Sequence, residues 1–346
     1  MRKTPAASPD ITDVARAAGV SAATVSRAFN HPELLRPDTR ERIMRAVEAT
    51  GYIRNRAAQA IHGRRSGTIG LIVPTIDNSI FSNLIQSFSE SLQAQGFTLL
   101  IATHGYDLPS EYALLRNFLE HRVDGVALVG LAHEDRTYDL LASRGTSVVT
   151  MWNYSETSRI SCVGADNYHV GRLAAEHVLA LGHRRIALMF PPVTGNDRAE
   201  ERLRGVTDTL AMANATPPAH WRPEVKYGIK ISREQGIHLL AGADMPTAII
   251  AGNDIVARGA ASAASHLGLR IPDDISIMGI GDFSGSAEWS PPLSTVQIDA
   301  HDVGAEGAAT LMETINGDPA SPIVRVLTDA RVVPRQSTGK MIITEA

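Results

Sequence analysis

The residues best placed to do chemistry near the start of the chain are Arg27 and the small side chains that precede it. Gly19 ends one short helical pattern, because glycine adopts a left-handed turn at little steric cost. Ser21 then has the type and position of an N-cap for a second helix. This helix, from about Ala22 to Phe29, presents small residues at its start and one arginine in its middle. Such a surface fits a major groove, where arginine reads base edges.

Three short helices are expected to position this surface. Asp10 and Asp13 have capping-box spacing at the start of the first helix, and Val14 and Ala18 share one of its faces. A third helix is predicted over residues 37–50, because proline suits a first helical position. The alternative interpretation is an alanine-rich helical hairpin with no role in DNA binding, since helix-turn-helix geometry is common.

The segment GVSAATVSRAFN, followed by TRERIMRAVEATGY, resembles the DNA-binding head of the LacI/GalR family of transcriptional regulators. The resemblance implies that residues 1–51 form the head and residues 52–66 a hinge helix that pairs with a second copy in the minor groove. Ile61 stands where the family has a wedging leucine. Arg36 replaces the usual serine or threonine before the third helix, so a weaker cap is expected there. The expected DNA contacts are Ser21, Ala22, Ala23, Thr24, Arg27, Asn30, Tyr52, Asn55 and Ile61.

Charge is distributed unevenly along the chain. Residues 1–66 contain 12 Lys and Arg against 6 Asp and Glu, and the other residues contain 21 against 31. The basic segment coincides with the helix-turn-helix, as expected if only this part contacts a polyanionic duplex. The alternative interpretation of residues 52–66 is a flexible basic linker.

From Thr68 onward, short apolar runs alternate with amphipathic helical stretches. This alternation predicts an α/β fold with parallel sheets and helices on both faces, and two such series indicate two lobes. The resemblance implies a periplasmic-binding-protein-like core of two discontinuous lobes. The first is expected at about 67–166 plus 299–330, and the second at about 167–298 plus 331–346.

Several polar and aromatic residues follow predicted strands, where open α/β sheets bind ligands. Asn78 and Phe81 match a family loop that faces the effector, although a turn residue and a core aromatic are equally simple explanations. Trp152 ends a strand where relatives often have aspartate. Its ring is expected either to stack on the apolar face of a sugar-like ring or to pack in the core.

The remaining candidates for effector binding lie further along the chain. Arg202 stands where the family places a ligand-binding arginine, whereas a solvated helix charge is the simpler interpretation of Arg198 and Arg204. Asp254 matches the family's Asn-Asp pair, although it also suits a helix cap. Asp282 and Phe283 occupy a loop in which Gly281 replaces a family aspartate, so its polar contacts are in doubt.

Other functional classes find little support in the sequence. There is no GxSxG, P-loop, HExxH or CxxC motif, and the twelve histidines lack metal-site spacing. No enzyme activity, metal or cofactor is therefore expected. Cys162, which lies in an apolar run, is the one cysteine of the sequence, so no internal disulfide can form. No signal peptide and no apolar run of about 18 residues is present, which favours a cytoplasmic protein.

The sequence therefore predicts a DNA-binding transcriptional regulator, with repression as the expected effect. Its expected partners are a near-palindromic double-stranded operator and a small effector, a sugar or sugar acid by family default. No Leu-rich heptad tail is present, which favours a homodimer. The alternatives are an activator, and a solute-binding protein without a regulatory role.

Overall fold

The computed structural model describes residues 8–54, 65–318 and 321–341. The chain divides into two compact units, Met1–Ser66 and Gly67–Ala346. The helices described in the first unit are α1 (Ile11–Ala18), α2 (Ala22–Asn30), the 3-10 turn Pro32–Leu34 and α3 (Pro37–Thr50).

The three α-helices of the first unit enclose a small apolar core. Val14, Val25 and Ile43, one from each helix, are fully buried there. Phe29 and Val47 are only half-buried and pack against the edge of this cluster. This core is small and buries only the inner faces of the three helices. The outer face of α2 is therefore exposed to solvent.

The helix ends follow the predicted capping chemistry. The carboxylate of Asp10 accepts hydrogen bonds from the backbone N–H groups of Thr12 and Asp13, and the Asp13 carboxylate accepts one from Asp10 N. Gly19 adopts φ = 62°. Arg36 precedes α3 without a side-chain cap, as expected. The second helix extends one residue beyond the predicted Phe29.

The second unit contains two sheets. Its strands are β1 (Thr68–Val73), β2 (Thr98–Thr103), β3 (Gly125–Val129), β4 (Ser147–Asn153), β5 (Ser161–Ala165), β6 (Ile186–Met189), β7 (Ala248–Ala251), β8 (Ser276–Gly281), β9 (Ser294–Ile298), β10 (Arg325–Leu327) and β11 (Ala330–Val333). The first sheet has the order β10-β5-β4-β3-β1-β2, and the second has the order β11-β9-β8-β7-β6. We call each sheet with its helices a lobe.

Helices cover both faces of these sheets. They are α4 (Ser79–Gln93), α5 (Leu108–Glu120), α6 (Asp135–Arg144), α7 (Asn167–Ala180), α8 (Asp197–Met212), α9 (Ile229–Leu240), α10 (Asp254–His266) and α11 (Ala300–Asn316). In β1, Leu71 belongs to one buried apolar cluster and Ile72 to another, because successive strand side chains point to opposite faces. The predicted α/β architecture is thus confirmed.

The edge strand β11 departs from the parallel pattern that the sequence predicts. It runs antiparallel to β9, with Ala330 opposite Ile298, whereas the other strand pairs of both sheets are parallel. The chain leaves β10 in the first sheet at Leu327 and enters β11 in the second sheet at Ala330. A connection this short brings the chain directly to the edge of the second sheet, with no room for a crossover helix.

Helices α7 and α8 of the second lobe pack backbone against backbone. A Cβ placed on Gly171 would lie 2.0 Å from the carbonyl oxygen of Arg202, and one on Gly205 would lie 2.0 Å from that of Tyr168. The two glycines therefore fix the separation of these helices. None of the described helices is long and apolar enough to cross a membrane.

Candidate functional site

The start of α2 is held by two hydroxyl side chains. Ser21 accepts a hydrogen bond from the backbone N–H of Thr24 over 3.2 Å, and the two hydroxyl oxygens are 2.8 Å apart. The bond to Ser21 gives a partner to one of the backbone N–H groups that would otherwise be unpaired in the first turn of α2. The two contacts also fix the angle at which α2 leaves the turn. Ser21 thus acts as the predicted cap, with Thr24 as its partner.

Arg27 and Ala23 are exposed on the outer face of α2, and Ala22 is half-buried against the head core. Within the described ranges, no side-chain hydrogen bond or ion pair engages the Arg27 guanidinium. An exposed planar guanidinium beside small side chains can approach base edges without steric hindrance. The exposure of Arg27 and Ala23 is compatible with base reading, which stays a prediction.

Asn30 and Tyr52 have contacts inside the head. The Asn30 amide donates to the carbonyl of Ser26 over 2.8 Å, and its oxygen accepts a hydrogen bond from Arg54. Tyr52 packs against Phe29, with ring centroids 6.3 Å apart. Asn30 therefore orders the segment that follows α3, in addition to any contact with DNA. The other two predicted contacts, Asn55 and Ile61, lie outside the described residues.

The strand ends of the two lobes meet at a cleft. Its lining is mostly polar and aromatic, with Ile80 and Gly281 as the exceptions, and consists of Asn78, Ile80, Phe81, Tyr106, Trp152, Arg198, Arg202, Tyr227, Asn253, Gly281 and Phe283. Five of the seven residues predicted to bind an effector are among them: Asn78, Phe81, Trp152, Arg202 and Phe283. The cavity has a volume of about 20 Å³, enough for about one water molecule. A sugar-sized molecule therefore requires the lobes to separate.

Aromatic rings form much of the cleft wall. Phe81 and Trp152 have ring centroids 6.1 Å apart, and Tyr106 of the first lobe lies 5.5 Å from Tyr227 of the second. Burial raises the pKa of Tyr106, so its hydroxyl stays protonated and available to donate a hydrogen bond. Neither tyrosine was predicted, because each precedes a helix in a loop with no distinctive motif.

Trp152 has an unusual backbone. Its φ is 84°, a conformation that a bulky side chain rarely adopts. It pairs with Gly164 on β5, where a Cβ would lie 2.3 Å from the Trp152 carbonyl carbon. Strain of this kind is characteristic of binding sites, where the surrounding structure holds a side chain in a required orientation.

Arg202 is 6% exposed and has neutral partners. Its Nε donates to the Asn167 side-chain oxygen over 2.7 Å, and its Nη1 donates to the Gly252 carbonyl over 3.4 Å. Burial lowers the pKa of Arg202 to about 10, so the group remains cationic at neutral pH. The guanidinium therefore introduces a positive charge into the cleft.

Asp197 and Arg198, at the start of α8, connect the second lobe to the first. The Asp197 carboxylate accepts hydrogen bonds from Leu131 N over 2.6 Å, Ala132 N over 3.1 Å and the Asn153 amide over 2.9 Å. Arg198 donates to Asp197 over 3.0 Å and to the Val129 carbonyl over 3.3 Å. Arg198 is 6% exposed, so its interpretation as a solvated charge is wrong.

Asp254 does not reach the cleft, contrary to the prediction that it contacts the effector. Its carboxylate is fully buried and accepts hydrogen bonds from Phe283 N, Ser286 Oγ and Thr295 Oγ1 over 2.7, 2.8 and 2.7 Å. The cap assignment is also wrong, because Asn253 caps α10 by accepting a bond from Val256 N. Asn253 is the member of this pair that lines the cleft.

Asp282 also lies outside the cleft lining, in an adjoining groove with Gln297. Its carboxylate is 2.7 Å from Arg335 Nη1 and 3.1 Å from the Gln297 amide. These partners neutralise the charge within the second lobe, which argues against the predicted effector contact. Arg204, by contrast, is exposed and pairs with Glu201, as expected for a solvated charge.

One group among the described residues has the spacing of a metal site. Asp299, His301 and Asp302 lie close together at the start of α11, and all three are exposed. The Asp299 carboxylate already accepts hydrogen bonds from His301 N and Asp302 N as the cap of that helix. Exposure and capping together make this a weak candidate for a cation.

Comparisons with known proteins agree with this architecture. Residues 10–55 match the model of bacterial regulatory proteins of the lacI family, and residues 175–338 match a periplasmic binding protein-like domain. The chain is 31% identical over 318 residues to the HTH-type transcriptional regulator MalR of Streptomyces coelicolor, covering 90% of this chain and 91% of the relative. The chain belongs to the LacI family.

Two further relatives support this membership in the LacI family. The HTH-type transcriptional repressor PurR of Haemophilus influenzae is 29% identical over 305 residues, with 88% of this chain and 90% of PurR covered. The lac repressor dimer bound to operator and the anti-inducer ONPF has a TM-score of 0.84 at 27% identity, covering 96% of this chain and 100% of that one. The chain is thus a DNA-binding transcriptional regulator, and its relatives are regulators rather than enzymes.

Proposed function

We propose that this LacI-family regulator is a cytoplasmic repressor that binds a near-palindromic operator as a homodimer. In this proposal a small carbohydrate-like effector binds between the lobes and alters operator affinity. The head occupies residues 1–51, a hinge residues 52–66, and the effector-binding core the two discontinuous lobes from residue 67 onward. The similarity to PurR, a repressor, and to the lac repressor dimer on its operator supports this assignment.

The observation that carries the effector proposal is the contact of Asp197 with both lobes. Its carboxylate joins α8 to the loop after β3 in the first lobe. If the lobes separate to admit an effector larger than the cavity, these hydrogen bonds between the lobes break, so the bound effector favours a more open arrangement. Only a ligand with different affinities for the two arrangements shifts their populations.

The operator is recognised by α2 and the hinge in this proposal. Arg27 and the small residues at the start of α2 contact base edges, while other basic side chains of the head contact phosphates. Ile61 serves as the minor-groove wedge if the hinge forms a helix on DNA, as the family resemblance predicts. A symmetric dimer then reads two half-sites.

In vitro selection with the full chain and a random duplex pool tests the proposed operator. We expect enrichment of a near-palindromic sequence whose affinity falls steeply with salt, because phosphate neutralisation releases counterions. Enrichment of a single, non-repeated half-site would contradict symmetric binding. No enrichment at all would contradict the proposed near-palindromic operator.

Placing the selected operator at different distances from a promoter distinguishes repression from activation. A repressor lowers reporter expression when its site overlaps the promoter. An activator raises expression from an upstream site. If expression rises with the operator in its natural arrangement, the protein is an activator rather than a repressor. The DNA-binding assignment is unaffected.

A further inference from the structure

Two arginines of α8 face the cleft together. Arg198 and Arg202 are four residues apart, so they lie on the same face of the helix. Both are 6% exposed and both line the cleft, whereas Arg204 on the same helix is exposed and paired with Glu201. This face of α8 therefore presents two guanidinium groups, and sequence reasoning predicted only one of them.

The cleft lining contains no acidic side chain among the described residues. Asp197, next to the lining, pairs with Arg198 and also accepts bonds from Leu131 N and the Asn153 amide. Asp254 and Asp282 bind partners elsewhere in the second lobe. Arg202 thus has no carboxylate in contact, and Asp197 is shared between Arg198 and the first lobe.

A buried cation with only neutral partners is costly, because burial removes water without supplying a counter-charge. The Asn167 side chain and the Gly252 carbonyl orient Arg202 but leave its charge uncompensated. The planar fork of an arginine matches the two oxygens of a carboxylate or phosphate. The aromatic walls formed by Trp152 and Tyr227 suit an apolar or ring-shaped body next to that group.

We propose that the effector carries an oxyanion, a carboxylate or a phosphate, which is bound by Arg202 with Arg198 as its neighbour. This inference rests on the proposed function, namely that an effector binds in the cleft. It narrows the ligand class from carbohydrate-like molecules in general to sugar acids or sugar phosphates. The aromatic side chains then contact the uncharged body, and Asn78 and Asn253 are placed to bind its hydroxyl groups.

Thermal unfolding of the full chain tests this proposal with matched probes at constant ionic strength. The probes are D-gluconate against D-glucitol, D-glucuronate against D-glucose, and D-glucose 6-phosphate against D-glucose. We expect an anionic member of at least one pair to raise Tm while its neutral counterpart does not. Stabilisation by a sugar acid alone assigns a carboxylate, and stabilisation by the sugar phosphate alone assigns a phosphate.

Arg202→Gln and the control Arg204→Gln locate the anion. We expect Arg202→Gln to weaken binding of the active probe at least about tenfold, because charge-assisted hydrogen bonds are lost, and Arg204→Gln to leave it unchanged. Equal stabilisation by an acid and its neutral counterpart would overturn the proposal. Equal affinities of the two variants would also overturn it.

Arg202→Met gives an answer even if none of these probes binds. Without additives, we expect this variant to have a higher Tm than the wild type, because it removes an uncompensated buried charge. A lower Tm would assign Arg202 a structural role and overturn the proposal.

Operator titration separates this inference from the proposed function. If a neutral sugar changes operator affinity, only the inference that the effector carries an oxyanion is refuted. If an acid binds without changing operator affinity, only the proposal that the effector regulates operator binding is refuted.

Discussion

The Asp254 carboxylate accepts a hydrogen bond from the backbone N–H of Phe283 over 2.7 Å. This bond ties the start of α10 to the loop after β8, and Ser286 and Thr295 donate to the same carboxylate. Phe283 lines the cleft, whereas Asp254 lies behind it. Asp254 thus determines the shape of the cleft through the loop that it holds.

Asp254→Ala should destabilise the core. Each buried donor left without a partner costs about 1–3 kcal/mol, and three donors lose their acceptor. Urea unfolding of the full chain measures the loss. Asp254→Asn keeps an acceptor oxygen and is the matched control, with a smaller expected loss. Normal stability of Asp254→Asn combined with abolished effector binding would instead favour direct contact with the effector.

Arg27→Ala should weaken operator binding selectively. The lost base contacts are worth about 1–3 kcal/mol, while non-specific binding depends mainly on phosphate contacts elsewhere. Titration of the variant with operator and with a scrambled duplex at one salt concentration measures both affinities. The exposed Arg45, paired with Glu41 on α3, supplies the control Arg45→Ala. Equal losses on both duplexes would remove Arg27 from base reading.

Asp197→Ala should favour separation of the lobes. It removes acceptors for Leu131, Ala132 and Asn153, each bond contributing about 0.5–1.5 kcal/mol. Acrylamide quenching of Trp152 reports the change in a protein whose other tryptophans are replaced by phenylalanine. We expect stronger quenching than in the control Asp208→Ala, whose carboxylate is exposed on the same helix. Unchanged quenching would mean that other contacts determine closure.

Stability should fall as the pH falls below 6.5. Burial lowers the pKa of both His104 and His183 below 6.5, so the unfolded chain binds protons in a range where the folded chain does not. The contribution of these histidines to the free energy of unfolding is therefore fully present above pH 6.5. It is lost as the pH falls toward the folded pKa values, by up to about 1.4 kcal/mol per pH unit for each histidine.

Urea unfolding between pH 5 and about 8, the usual range of histidine titration, measures this dependence. His183→Gln should flatten the profile, because glutamine can bond to Thr247 and Gly339, the partners of His183, without titrating. His301→Gln, at an exposed histidine, should leave the slope unchanged. A profile equally steep in both variants would exclude a contribution from His183.

The sequence predicts the head well because its signals are local. Asp10, Gly19 and Ser21 act within a few residues of their own positions, so capping rules suffice to locate them. The alternation of patterns locates the parallel strands and their ends, and the family resemblance then indicates Asn78 and Trp152 at two of these ends.

The rest of the site depends on tertiary contacts that no local pattern encodes. Arg198 has the sequence context of a surface charge, and only packing of the first lobe against α8 buries it. Tyr106 and Tyr227 meet because the lobes close on each other. Asn253 and Asp254 are adjacent and both polar, so the choice between cap, structural anchor and ligand contact depends on side-chain directions that the sequence leaves open.

The close packing at Gly171 and Gly205 restricts how this protein can evolve a new effector preference. Any larger residue at either position would push α8 away from α7 and displace both arginines at once. Helix α8 therefore offers little room for gradual drift in position. Adaptation to a different molecule has to proceed by exchanging side chains on a fixed backbone, and the strand-end loops that carry Asn78 and Phe283 are the more tolerant places for such exchanges.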